Sequence, residues 1–230
     1  FGGESEFTYA KAGSGILKVG TIVTSDADAA RPGTVVIGSG AVAGYDNSIV
    51  IGRDAKAGHA DSVSIGRNAH GTAIWGDKNV AIGYNAQAYS QGVAIGYGAV
   101  TFGTNGVGIG TSAWGGYRGV AIGGQNGFWN SDGVKYGVAI GYAAQNVGAG
   151  NSYESMVTIG YQSNVYGDYG IAIGRDSKGS DYSVSLGYKA NAPASGLVIG
   201  AGSDNAILSG QFNDTAAATN GYLLTSTKFG

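Results

Sequence analysis

Aliphatic residues recur along this chain in pairs, separated by one small or polar residue and followed by glycine. The phrase occurs twelve times between residues 35 and 200, as in Val80-Ala81-Ile82-Gly83 and Val93-Ala94-Ile95-Gly96. Its second aliphatics are Ile37, Ile51, Ile65, Ile82, Ile95, Ile109, Ile122, Ile140, Ile159, Ile173, Leu186 and Ile199, spaced 14, 14, 17, 13, 14, 13, 18, 19, 14, 13 and 13 residues apart. A short internal period of this kind marks a solenoid. The alternation within each phrase has period two and is rich in β-branched residues, which predicts a short strand. The two aliphatics then share one face, and the middle residue, such as Ala81, Ala94, Gly108 or Ala121, takes the other. On this reading the aliphatics stack into interior ladders, and the middle residues form a flat outer face. The glycine after each strand permits positive φ or close backbone approach, so it marks a bend.

Four residues past each anchor the side chain is small, as in Ala41, Ala55, Ala86, Ser163 and Ser177, with Asn126 as the exception. A second short strand is expected there, so that about fourteen residues close one narrow coil. Helices do not fit, because no apolar 3.6-residue stripe exists and a glycine in every turn would cost each helix roughly 1 kcal/mol. Coils stacked at about 4.8 Å would give a rod roughly 55 Å long. The flat face of middle residues invites a second stack, and a threefold bundle docked through that face is expected.

The stretch 80–99, VAIGYNAQAYSQGVAIGYGA, resembles the head repeats of YadA-type trimeric autotransporter adhesins, which also occur in tail fibres of some bacteriophages. The resemblance runs over residues 35–200. It implies an all-β, left-handed parallel β-roll (a β-solenoid) of about twelve coils of 13–19 residues, a homotrimer, and an adhesive role without catalysis at a bacterial cell surface or on a virion. No heptad pattern and no Asp-Ala-Val-Asn neck follows Gly200, which leaves the bacteriophage setting open beside the bacterial one.

Composition narrows the picture further. Charged residues make up 12% and the net charge is −2, so no electrostatic footprint for nucleic acid is present. There are 45 glycines, for which the period accounts. The absence of cysteine excludes disulfides and thiolate metal sites. No apolar run is long enough to span a bilayer, and a chain starting at Phe1 reads as an excised or processed piece. Residues 1–34 lie outside the period, with a strand or hairpin arm expected at 16–24, and are read as an N-terminal cap or connecting segment. Residues 35–203 form the β-roll, and 204–230 a C-terminal cap or transition.

Three coils are longer than the rest: the first carries 72–78 with Trp75, the second 124–137 with Phe128, Trp129 and Tyr136, and the third 142–155 with Tyr153 and Glu154. Insertions leave a solenoid as loops, often on its binding face. The last two lie on consecutive coils, so their tips should meet. Aromatic faces beside Asn and Asp suit a sugar ring or a receptor loop. Trp114 and Tyr117, one coil earlier, extend this candidate ligand-binding set. The competing expectation is that Phe128 and Trp129 cover the roll or fill a crevice between protomers.

Other chemistry is sparse. Arg53 and Arg67 share the position two past the anchor with Tyr84, Tyr97, Tyr142, Tyr161, Arg175 and Tyr188; stacking would bring the two arginines together as an anion site or, more plainly, as part of a solvated column. His59 and His70 fall at different offsets, so no metal site and no cofactor is expected. Asp61, Asp132, Glu154 and Asp168 are candidates for paired carboxylates, but they share no offset. The first reading is a trimeric fibre module binding a host or cell-surface glycan or protein, with avidity from three copies. The alternative is a β-solenoid polysaccharide depolymerase. An ice-binding face ranks third, because it wants a regular Thr column.

Overall fold

The computed structural model describes residues 17–19, 33–71, 77–129, 134–147, 153–201 and 205–211. Its regular structure is all strand, with no helix among the described residues. The chain divides into two units, Phe1–Arg118 and Gly119–Gly230. Each is a parallel β-solenoid, and together they make about ten turns.

In the first unit the repeat phrases form Val35–Ile37, Ile49–Ile51, Val63–Ile65, Val80–Ile82, Val93–Ile95 and Val107–Ile109, each paired in parallel with the next. The register sets anchor over anchor, as Ile82 over Ile95 over Ile109. Leu17–Val19 pairs in parallel with Val35–Ile37, within the segment where a strand was expected. The opposite wall is built of two-residue strands: Val42–Ala43, Lys56–Ala57, His70–Gly71, Gln87–Ala88, Val100–Thr101 and Trp114–Gly115. They begin one residue past the small position, which therefore sits at the corner.

The second unit repeats the plan. Val120–Ile122, Val138–Ile140, Val157–Ile159, Ile171–Ile173, Val184–Leu186 and Gly196–Ala201 stack in parallel, and Asn205–Gln211 closes antiparallel on the last. Its opposite wall is Gly127–Trp129, Gln145–Val147, Asn164–Val165 and Lys178–Gly179.

The interior is inverted relative to the sequence expectation. The middle residue of each phrase points inward: Val50, Ser64, Ala81, Ala94, Ala121 and Ala172 are all 0% exposed. The flanking aliphatics face out, with Ile49, Ile122 and Ile173 at 37, 38 and 37%. The reason is the closeness of the two walls. A Cβ added to Gly115 would stand 2.7 Å from the Val107 carbonyl oxygen on the opposite strand, whereas facing sheets normally lie about 10 Å apart. At the middle position of each phrase only Ala, Gly, Ser and an occasional Val or Thr fit such a gap, while Met156 and Asn146 are bulkier buried residues elsewhere in the coils. The flat face of middle residues is thus the lumen, and it cannot meet a trimer axis.

Small interior hydroxyls bond locally. Ser64 Oγ donates to the Lys56 carbonyl at 2.8 Å and accepts from the Gly71 N–H at 2.9 Å. Asn146 Nδ2 donates to the Val138 carbonyl at 3.2 Å and its Oδ1 accepts from Thr158. These bonds offset the cost of burying polar groups in a lumen lined by so little apolar surface.

Each coil has two kinds of corner. After the strand, glycines such as Gly66 (φ +127) and Gly96 (φ +134) hold a conformation closed to L side chains. Their N–H groups donate to the previous coil's anchor carbonyl, Gly96 to Ile82 at 2.7 Å. Two residues later, and again before the next strand, one residue is left-handed: Asp54, Asn68, Asn85, Gln162 and Asp176 at the first position, Asn47, Asp61, Asn105, Tyr169 and Tyr182 at the second. Asn and Asp tolerate that region best.

Candidate functional site

The outward positions that flank the corners carry the exposed aromatic and charged side chains, and stacking aligns them into columns. In the first unit Arg67 lies over the Tyr84 ring at 4.4 Å, and Tyr84 stacks on Tyr97 at 5.1 Å. In the second unit Tyr142 stacks on Tyr161 at 5.6 Å and Arg175 covers Tyr188 at 4.4 Å. The Tyr84 phenol is held below its usual range, first by hydrogen bonding with Arg67 and then by that guanidinium's charge. Tyr188 is lowered similarly, first by Lys189 and then by Arg175. Arg53 is engaged by its neighbour Asp54 at 3.6 Å. The arginines thus serve a solvated Arg–Tyr column. His59 stacks on Tyr45 at 5.5 Å and lies 3.6 Å from Asp77.

Stacked rings turn their faces to one another and their edges to solvent, so most of these columns offer no flat platform. Trp114 differs. It opens the strand Trp114–Gly115 beside Val100 and meets Phe102 at 5.4 Å with planes 67° apart. Phe102 in turn stacks on Tyr89 at 5.8 Å. Trp114 is turned out of the ladder and stands 43% exposed. Tyr117 is half-buried, with the Arg118 guanidinium 5.2 Å from its ring.

The two consecutive insertions do meet. Val134–Lys135, from the first, pairs in parallel with Tyr153–Glu154 of the second, Val134 opposite Tyr153. At the roll itself Phe128 and Trp129 lie in the strand Gly127–Trp129, opposite Asn146 and Val147. Tyr136 is exposed and left-handed, with φ 58. Trp75 falls outside the described residues, as does Asp132. Of the remaining candidate acids, Asp61 belongs to the first unit, and Glu154 and Asp168 to the second.

Sequence reading missed the two positions on either side of the small corner residue, three and five past the anchor. In Gln162-Ser163-Asn164 and Asp176-Ser177-Lys178 both flanking side chains line one groove. The signal was present as a recurring polar-small-polar triplet, also seen in Asp54-Ala55-Lys56 and Asn85-Ala86-Gln87.

Fold and surface together define a parallel β-solenoid whose outward side chains align in columns from coil to coil. Residues 46–69, 90–113 and 159–177 match the family model of the YadA head domain repeat (2 copies). The coils in those segments are therefore YadA-like head repeats, of the kind found in trimeric autotransporter adhesins. No curated protein matches the chain. No helix among the described residues is long and apolar enough to cross a membrane.

Proposed function

We propose that this chain is an adhesion module of a trimeric surface fibre, bacterial or viral, that holds a host or cell-surface glycan or protein outside the cell. The observation that carries the reading is the YadA-like repeat itself: YadA-type domains form trimers and belong to surface-exposed adhesins. The outward aliphatic ladders support it. Val93, Ile95, Val107 and Ile109 are each only half-buried in the single chain, and a neighbouring copy would cover them. Full burial of a Val or Ile is worth about 1.5–3 kcal/mol relative to exposure, so completing many partial burials favours association. The aliphatic face therefore meets the trimer axis. Residues 1–34 and 204–230 flank the roll as caps or transitions.

Contact with the receptor is assigned to the aromatic side chains of the insertions, Phe128, Trp129, Tyr136 and Tyr153, with Trp75, and to Trp114 and Tyr117. Three copies of a weak site on one scaffold gain avidity without strong individual contacts. The test is attachment of the chain to host cells and to a glycan array, set beside Trp129→Ala. Attachment by the wild type, weakened several-fold in the variant, supports both the function and the site. Equal attachment by the two removes Trp129 from the site, and no attachment to cells or array overturns the adhesive reading. Shortening of an oligosaccharide during the incubation would favour the depolymerase instead.

A further inference from the structure

The second unit carries a groove of about 410 Å³ lined by two residues from each of three successive coils: Ala143 and Gln145, Gln162 and Asn164, Asp176 and Lys178. It arises directly from the repeat. The residue four past the anchor is small and turned into the lumen, so Ala144, Ser163 and Ser177 form a floor that is 0% exposed. The residues on either side point out and form two walls. Gln145, Asn164 and Lys178 sit in register, one above another. The opposite wall is the left-handed corner column, Ala143, Gln162 and Asp176.

We propose that this groove binds an extended, uncharged glycan lying along the stacking direction of the coils, which names the ligand class of the adhesive reading above and rests on it. The walls hold three amides, one carboxylate and one ammonium, so their formal charges cancel. That excludes selection of a phosphate chain or a polyanion and suits a ligand of many hydroxyls. Each amide both donates and accepts, the carboxylate accepts, and the ammonium donates. Asp176 is engaged by its neighbour Arg175 at 3.6 Å through one carboxylate oxygen, Oδ2, and the wall amides carry most of the task. The floor hydroxyls are consumed by their own corners, Ser163 Oγ donating to the Gly160 carbonyl at 3.2 Å and Ser177 Oγ to that of Gly174 at 2.9 Å. The side-chain amides of Gln145 and Gln162 engage no protein partner among the described residues, while Asn164 Nδ2 donates to the Gln162 carbonyl at 2.9 Å and keeps its oxygen for a ligand. The walls repeat every coil, at about 4.8 Å, so an extended β-1,4-linked chain, whose successive sugars are flipped by about half a turn, can present the same hydroxyls to a wall on every second sugar. Tyr142 and Tyr161, stacked at 5.6 Å and exposed, immediately precede Ala143 and Gln162 in the chain.

The experiment is titration calorimetry of the whole chain with chitohexaose and cellohexaose, using α-linked maltohexaose as the coiled comparison. The expected result is binding of at least one β-1,4-linked hexamer, tighter than maltohexaose by about tenfold or more. Gln145→Ala/Gln162→Ala should weaken it by a similar factor. The double variant keeps the fold, because Ala143 holds the same left-handed corner one coil before Gln162. Asp176→Asn is a second such variant, since Asn68 and Asn85 occupy that corner elsewhere. Failure of both β-linked hexamers to bind, equal binding of maltohexaose, or indifference to both groove variants overturns the assignment. A chain that attaches to cells while binding neither hexamer sinks the groove and leaves the adhesive reading standing. Groove-dependent binding without attachment to cells upholds the groove and removes the adhesive reading.

Discussion

A Cβ built on Gly66 would lie 2.5 Å from the carbonyl oxygen of Gly83, the equivalent glycine one coil on. The obstacle is backbone, which cannot swing aside, and φ at Gly66 is +127. Gly66→Ala therefore meets both a steric and a torsional cost, and should lower stability by about 2 kcal/mol or more in urea unfolding.

Asn68, two residues further round the same corner, is left-handed, with φ 54. Asn68→Val should cost about 1–2 kcal/mol, the ordinary left-handed penalty. Asn68→Gly should cost clearly less, and the pair of unfolding curves separates torsion from packing.

The inverted interior makes a sharp contrast between neighbours. Ala94 is 0% exposed within a cluster of Ala69, Ala81, Ala86, Ala88 and Ala99. Ala94→Leu should lose about 1–3 kcal/mol by overpacking, and its melting temperature should fall accordingly. Ile95, adjacent but facing out, should accept Ser with a much smaller loss in the isolated chain.

Outward aliphatics should instead control assembly. Sedimentation of the wild type is expected at the trimer mass. Ile95→Lys/Ile109→Lys, which places two charges on the proposed axis face, should sediment as a lighter species. A double variant that stays trimeric would move the interface elsewhere.

His70 is held below the ordinary histidine value of 6.5, first by burial and second by the charge of Lys56. Its imidazole should titrate in NMR with a midpoint under 6.5, and Lys56→Gln should raise that midpoint only partly. The unfolded chain takes up the proton first as pH falls. The stabilising effect of neutral His70 is therefore complete above 6.5 and lost as pH drops through that value towards the folded pKa. Melting temperature between pH 7 and pH 5 should fall more steeply in the wild type than in His70→Gln.

Much of this fold could be read directly from the chain, because Ile-Gly recurs with nearly constant spacing and the structure stacks those very pairs. The orientation of the strands could not be read from polarity. Bulky residues face inward where sheets stand far enough apart to hold them, and here corners of a few residues pull the walls too close. Size was the better guide: the middle position, from Val50 through Ala81 to Gly108, never exceeds valine. The Asn and Asp corners were legible in principle from their taste for left-handed backbone, whereas Tyr136, Tyr169 and Tyr182 at equivalent corners were not. The groove escaped notice because its walls are ordinary polar residues whose alignment exists only after stacking. Loop-borne candidates such as Trp129 gain strand partners from the structure, but their period-breaking sequence held no geometric information.

The hydrogen bonds from corner glycines such as Gly66, Gly96 and Gly160 to the isoleucine carbonyl of the preceding coil make each of those coils a template for its successor, and the middle positions of the lumen demand only small side chains to match. A stretch of DNA encoding one coil can therefore be copied or deleted in frame without disturbing its neighbours. Slippage during replication would then adjust reach and the number of surface grooves together, in whole steps, and a new loop can be tried on one coil while the others keep the stack intact.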